Sequence, residues 1–84
     1  MDEEEDSHSI IINSFIAANT ITNDNEEKEH IIIALHLFRD HTYMIDISIN
    51  NEIIETKDFG DNEKGAYREF HMKQVLYFKK ILVI

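Results

Sequence analysis

Five histidines, His8, His30, His36, His41 and His71, are the residues in this sequence best suited to hold a metal ion or to move a proton. None has the i, i+4 or His-x-Glu-x-x-His spacing that sets two imidazoles side by side on a helix. His30 and His36 fall on one face of a strand, but at ~3.4 Å per residue they are about 20 Å apart, too far to share an ion. Arg68, Glu69 and His71 are close in sequence yet leave a helix in different directions, so they do not converge as an acid–base group. The Gly-Asp-Asn-Glu-Lys-Gly segment from Gly60 to Gly65 lacks the Lys-Ser/Thr pair that follows a phosphate-binding loop. The chain has no cysteine, which excludes thiolate zinc sites, iron–sulfur clusters, disulfides and cysteine nucleophiles. No catalytic, metal or cofactor-binding residue is assigned on these grounds, and the chain is read as a non-enzyme.

The remaining chemistry is charge. Seventeen Asp and Glu against eight Lys and Arg give a net charge of -9 and a pI near 4.8. That balance repels phosphate backbones and anionic membranes, so neither is an expected ligand. The distribution is uneven: residues 1–63 hold sixteen acids and three bases, while residues 64–84 hold one acid and five bases. Asp24, Glu26, Glu27 and Glu29 lie in one polar segment, and Asp46, Glu52, Glu55 and Asp58 lie on a hairpin. These eight are the candidate partner-binding residues, and the partner they suit is a basic nucleic-acid-handling protein such as a nuclease or effector. Carboxylates on one strand face repeat every ~6.8 Å, whereas duplex DNA carries a charge about every 1.7 Å of its axis. A single strand therefore cannot imitate the duplex, and several acidic segments have to converge.

The elements that must bring them together are those of one small domain. A chain of 84 residues with 43% hydrophobic residues has room for one core. Residues 1–8 are expected to be a disordered acidic tail, because positions 1–6 carry five carboxylates and no partner charge. Residues 9–84 form the single domain. The first apolar run, Ile10 to Ile12, follows acids and not the positive leader of a secretory signal, and no stretch approaches the ~18 to 20 apolar residues of a membrane span. A cytoplasmic location is the expectation.

Residues 9–22 contain seven β-branched side chains and favour a strand, although Ile11, Ile12, Phe15 and Ile16 also stand at helical spacing. After the polar segment 23–29, Ile31, Ile33, Leu35 and Leu37 alternate along a strand at 30–38. A strand at 42–49 has apolar odd positions, and Asn50-Asn51 supplies the positive φ angles of a two-residue turn into a strand at 52–58. A turn of odd length at 39–41 pairs Leu37 with Tyr43 and Leu35 with Ile45. A regular hairpin at Asn50-Asn51 pairs Ile49 with Glu52, Ile47 with Ile54 and Ile45 with Thr56, and sets Asp46 directly across from Glu55 on the outer face.

Asp61 or Asn62 caps a helix beginning near Glu63, and Ala66, Tyr67, Phe70, Tyr77, Phe78 and Ile81 fall on one side of it, interrupted by Gln74. Lys79 and Lys80 suit the C-terminal end of its dipole, while a helix that stops early and is followed by a short strand is the second choice for 75–84. The fold class is α+β: an antiparallel meander of three to four strands packed against one C-terminal helix. Its outer face also carries Ile32, Phe38, Met44 and Ile53. A homodimer, or an antitoxin- or immunity-type partner held through that apolar patch, is the competing reading; packing of the N-terminal segment over the patch would equally account for it.

The order of three antiparallel strands followed by a helix looks like the β-β-β-α portion of double-stranded RNA-binding domains. Those domains carry a basic Lys-Lys cluster at the start of the last helix; here Asp61, Asn62, Glu63 and Lys64 stand in its place, so RNA binding is not carried over. Fifteen Ile against four Leu and two Val, with no Pro, is the composition that AT-rich codons produce. Small size, acidity and sheet-plus-helix order together resemble phage-encoded inhibitors of host defence, including anti-CRISPR proteins that occupy nucleic-acid or PAM-binding sites with carboxylates. The resemblance covers residues 30–80, rests on order and charge, and includes no diagnostic motif. It implies that Asp46, Glu52, Glu55 and the acids of 24–29 meet Arg or Lys of a nuclease.

Overall fold

The computed structural model describes residues 10–78. Along them run β1 (Ile11–Thr22), β2 (Lys28–Phe38), β3 (Tyr43–Ile49), β4 (Glu52–Gly60) and α1 (Glu63–Phe78). The strands form one antiparallel sheet in the order β1-β2-β3-β4, and α1 packs on one of its faces, the α+β meander that the alternation predicts. Within the segment 9–22 the strand prevails, as Ile11–Thr22: β-branched side chains fit a pleated surface, and β2 supplies partners along β1 except at Ile12, the extra residue of a bulge. Of the alternatives for 75–84, residues 75–78 continue α1; 79–84, with Ile81 and the lysines at 79 and 80, and the tail at 1–8 lie outside the described residues.

Both turns that link β2, β3 and β4 behave as their residue types require. Leu37 pairs with Tyr43 and Leu35 with Ile45, so the loop at 39–41 keeps the odd-numbered residues on one face. Asn50 and Asn51 both adopt positive φ, 53° and 72°, the conformation that a tight hairpin turn asks of both central residues. The Asn50 side chain also accepts the His30 N–H at 3.0 Å while its own N–H donates to the His30 carbonyl at 2.8 Å.

The core lies between the sheet and the helix. Ile33, Leu35, Ile45 and Ile47 from the two central strands are fully enclosed, with Ile31, Tyr43, Ala66 and Phe78 around them. Ala17, Ile21, Leu37, Phe59, Tyr67, Phe70 and Tyr77 pack at the margin, so the helical stripe expected from spacing meets the sheet as far as Phe78. Asn62 caps the helix through its Oδ1, which accepts the Gly65 N–H at 3.0 Å. A Cβ on Gly65 would stand 2.4 Å from Nδ2 of that side chain, so this position favours a residue without one.

The β3–β4 register is the correction to the regular hairpin. Ile49 faces Glu52 and Ser48 faces Ile53, but Ile47 faces Glu55, with Ile54 as the extra residue of a β-bulge. Asp46 then lies opposite Thr56, not Glu55, and Ile45 lies opposite Lys57. A second irregularity makes Phe59 the extra residue between Asp58 and Gly60. The physical gain is visible on both faces. The shift brings Glu55 to the helix side, where Lys73 Nζ lies 2.9 Å from its carboxylate and the Tyr77 hydroxyl donates to it at 3.2 Å. It carries Phe59 to the core margin, and it removes the like-charge confrontation of Asp46 with Glu55, which would have cost stability.

Lys73 also reaches Glu69 at 3.4 Å, one helical turn away, and the more distant Lys57 lies 3.9 Å from Glu69. The hydrogen bond from Lys73 holds the Glu55 carboxyl below its ordinary 4.5 against an opposing effect of burial, and the same bond raises Lys73 above 10.5. The stability this pair contributes is therefore present above the unfolded carboxyl's value and is lost as pH falls through the lower folded value. On the alkaline side it is complete below 10.5 and is lost as pH rises through the raised value of Lys73. Glu55→Gln should shrink the fall in urea midpoint between about pH 6 and about pH 3 relative to the parent chain. An unchanged fall would show that Lys73 does not hold Glu55.

Candidate functional site

The site begins with a single asparagine. Asn23 Oδ1 accepts the N–H groups of Asn25 and Glu27 at 2.9 and 3.0 Å, and its backbone bonds to Glu26 and Glu27 close the β1–β2 turn. Its Nδ2 lies 3.4 Å from Glu29, which is half-buried. A loop tied down in this way holds Asp24, Glu26 and Glu27 exposed to solvent. Glu26 takes φ of 63°, the left-handed region that an L side chain enters at a cost of roughly 1–2 kcal/mol and glycine enters freely. In a turn of this kind the position normally falls to glycine, yet here it carries a carboxylate.

The sheet then brings a second acidic segment to the same end. The His30–Asn50 backbone bond ties the start of β2 to the β3–β4 turn, so Glu52, exposed at the start of β4, shares that end with the loop. Among the described residues, Asp24, Glu26, Glu27 and Glu52 have no Lys or Arg within ion-pair distance, and Lys28 is the only base in the stretch 23–30. Five of the eight predicted residues (Asp24, Glu26, Glu27, Glu29 and Glu52) are thus collected at one end of the sheet, Glu29 being engaged with Asn23.

The other three are dispersed. Glu55 is on the helix side with Lys73. Asp58 is toward the opposite end of β4, where its Oδ1 accepts the Gly60 N–H at 3.0 Å and shapes the turn into the helix. Asp46 is mid-sheet on the outer face, within a row that crosses all four strands. In that row Ser14 Oγ is 2.7 Å from His36 Nδ1, His36 Nε2 is 3.2 Å from Asp46 Oδ2, and Thr56 Oγ1 donates to Asp46 Oδ1 at 3.1 Å.

Spacing in sequence gives no sign of this row, because its members become neighbours only through cross-strand register. Its residue types are those of a nucleophile, a base and an orienting carboxylate. Ser14, which would be the nucleophile, stands on the edge strand β1, and its own N–H donates to Asn13 Oδ1 at 2.9 Å. The row is a polar connection between strands. It also divides the outer face: Ile32 and Ile53 lie to one side of it, Met44 and Phe38 to the other, so these four do not make one contiguous patch. Nor do residues 11–22 cover them, since β1 extends the sheet at its edge.

No protein-family model, curated protein or solved structure matches this chain. Among the described residues, no helix is long and apolar enough to cross a membrane.

Proposed function

We propose that this chain is a non-enzymatic binding protein that presents the acidic end of its sheet, Asp24, Glu26, Glu27 and Glu52, to the cationic nucleic-acid groove of a partner protein, as an inhibitor of a host-defence nuclease would. The observation that carries the reading is Glu26. Backbone strain is worth keeping where a side chain is needed, and this carboxylate occupies a left-handed position among neighbouring acids that have no Lys or Arg within ion-pair distance among the described residues. Two segments contribute to the cluster, which meets the requirement that one strand alone cannot follow the charge density of a duplex. Arginines that grip bases and phosphates are the natural counterpart, and a CRISPR effector nuclease is the proposed target class.

The test is displacement of a fluorescent target duplex from a guide-loaded Cas9-type nuclease. Displacement is expected at about 50 mM salt and should weaken strongly by about 500 mM, because exposed charges are screened over a few ångströms at high salt. No displacement at low salt, or displacement that salt does not alter, would overturn the proposal. The salt-insensitive outcome would favour an apolar interface on the outer face, where Ile16 and Ile53 are 58% and 62% exposed.

A further inference from the structure

Strand β1 is an open edge with one bulge, at Ile12, and the N–H groups of Ser14 and Thr20 donate to the Asn13 and Asn19 side chains at 2.9 and 2.8 Å. Among the described residues it pairs only with β2, so alternate N–H and C=O groups along its far side have no strand partner. It is 12 residues long, Ile-Ile-Asn-Ser-Phe-Ile-Ala-Ala-Asn-Thr-Ile-Thr, with no charge, no Pro and no Gly. The opposite edge, β4, has two bulges and carries Glu52, Glu55, Lys57 and Asp58, features that discourage pairing. The contrast points to a specific occupant. In a chain of net charge -9, β1 is, among the described strands, the one that carries no charged residue, so two copies can meet along it without setting like charges side by side.

We propose that β1 pairs antiparallel with β1 of a second copy about a two-fold axis at Ile16. This joins two four-stranded sheets into one of eight strands, with both helices on the same face. Opposed residues in an antiparallel pair share a face, which restricts the axis to a residue and not to a gap between residues. Placed on Ile16, it sets that 58% exposed side chain against its own copy on the outer face. On the helix face it sets Phe15 against Ala17 of the second copy, a large side chain over a small one. An axis on Ala17 would oppose Phe15 to Asn19 instead.

The arrangement closes on itself. Each copy spends its open edge and leaves the guarded β4 edges outside, so assembly stops at two. A strand about 40 Å long in a layer about 10 Å thick buries on the order of 400 Å² per copy, below the ~800 Å² of a standard interface, so the dimer is weak and concentration-dependent. Both copies are acidic, so added salt should tighten this contact, whereas it loosens the contact of the acidic end with a cationic partner. This inference does not rest on the acidic end, and either can fail alone.

Sedimentation velocity from about 5 to about 500 μM should show the weight-average mass rising from the 9.9 kDa monomer toward twice that value. Ile16→Lys should hold it at the monomer with an unchanged circular dichroism spectrum. Because the chain has no cysteine, Ile16→Cys provides a second reading: oxidation should cross-link it at least about tenfold faster than Ile53→Cys at equal concentration. The proposal is overturned by a parent chain that is monomeric at the highest concentration, by Ile16→Lys that dimerises like the parent, by equal cross-linking of the two cysteine variants, or by growth beyond two copies.

Discussion

Leu35→Ala should remove about 2–5 kcal/mol of stability, the range for emptying a fully enclosed leucine site. Leu35 is 0% exposed at the centre of β2 and belongs to a core that one helix closes on one side only. Domains of this kind hold about 5–15 kcal/mol in total, and a chain this short belongs near the lower bound, so the substitution should leave a large unfolded fraction at 37 °C. The informative comparison is Ile32→Ala, three residues earlier on the same strand. Ile32 is half-buried on the outer face, where no other layer packs among the described residues. Its loss should cost about 1 kcal/mol or less, since little enclosed volume is vacated. Urea denaturation of the two variants measures both. Equal losses would mean that the outer face is covered.

Glu55→Lys distinguishes the two possible hairpin registers by the sign of its effect. In a regular hairpin Glu55 would oppose Asp46, and a lysine there would convert a like-charge pair into an attractive one and stabilise the fold. In the bulged register the new ammonium faces Lys73, whose Nζ lies 2.9 Å from the present carboxylate, and the Tyr77 hydroxyl loses its acceptor. The expected result is a loss of about 1–3 kcal/mol, between the values for exposed and buried pairs, because both side chains are partly shielded from solvent. Adding Lys73→Glu to Glu55→Lys should restore part of it, since the pair is then present in reverse. A stabilising Glu55→Lys would return Glu55 to the outer face.

The contrast between these positions shows what the sequence carries and what it withholds. Strict alternation over β2 and β3 fixes which side chains are enclosed, and Asn50-Asn51 fixes where the chain reverses, because both signals are local. Both bulges are non-local in origin. Ile53 and Ile54 are equally apolar, so nothing in β4 marks the extra residue; the decision comes from Lys73 and Tyr77 on a helix some 20 positions later, and from Phe59 seeking the core. The same shift separates Asp46 and Glu55 from the acidic cluster. Glu26 was legible as a charge but not as a strained one, because its positive φ depends on the turn that Asn23 organises. The Ser14–His36–Asp46–Thr56 row needed three registers at once.

The most direct measurement compares two variants of equal charge at opposite ends of the sheet. One carries Asp24→Asn, Glu26→Gln, Glu27→Gln and Glu52→Gln; the other carries Asp40→Asn, Asp58→Asn, Asp61→Asn and Glu63→Gln. Association with the guide-loaded nuclease is followed by stopped-flow at low salt. The first variant should associate at least about tenfold more slowly than the parent, and the second should stay within about twofold. Equal slowing of both would mean that net charge alone governs encounter, and slowing of the second only would place the contact at the wrong end; either contradicts a binding site built on Glu26 and its neighbours.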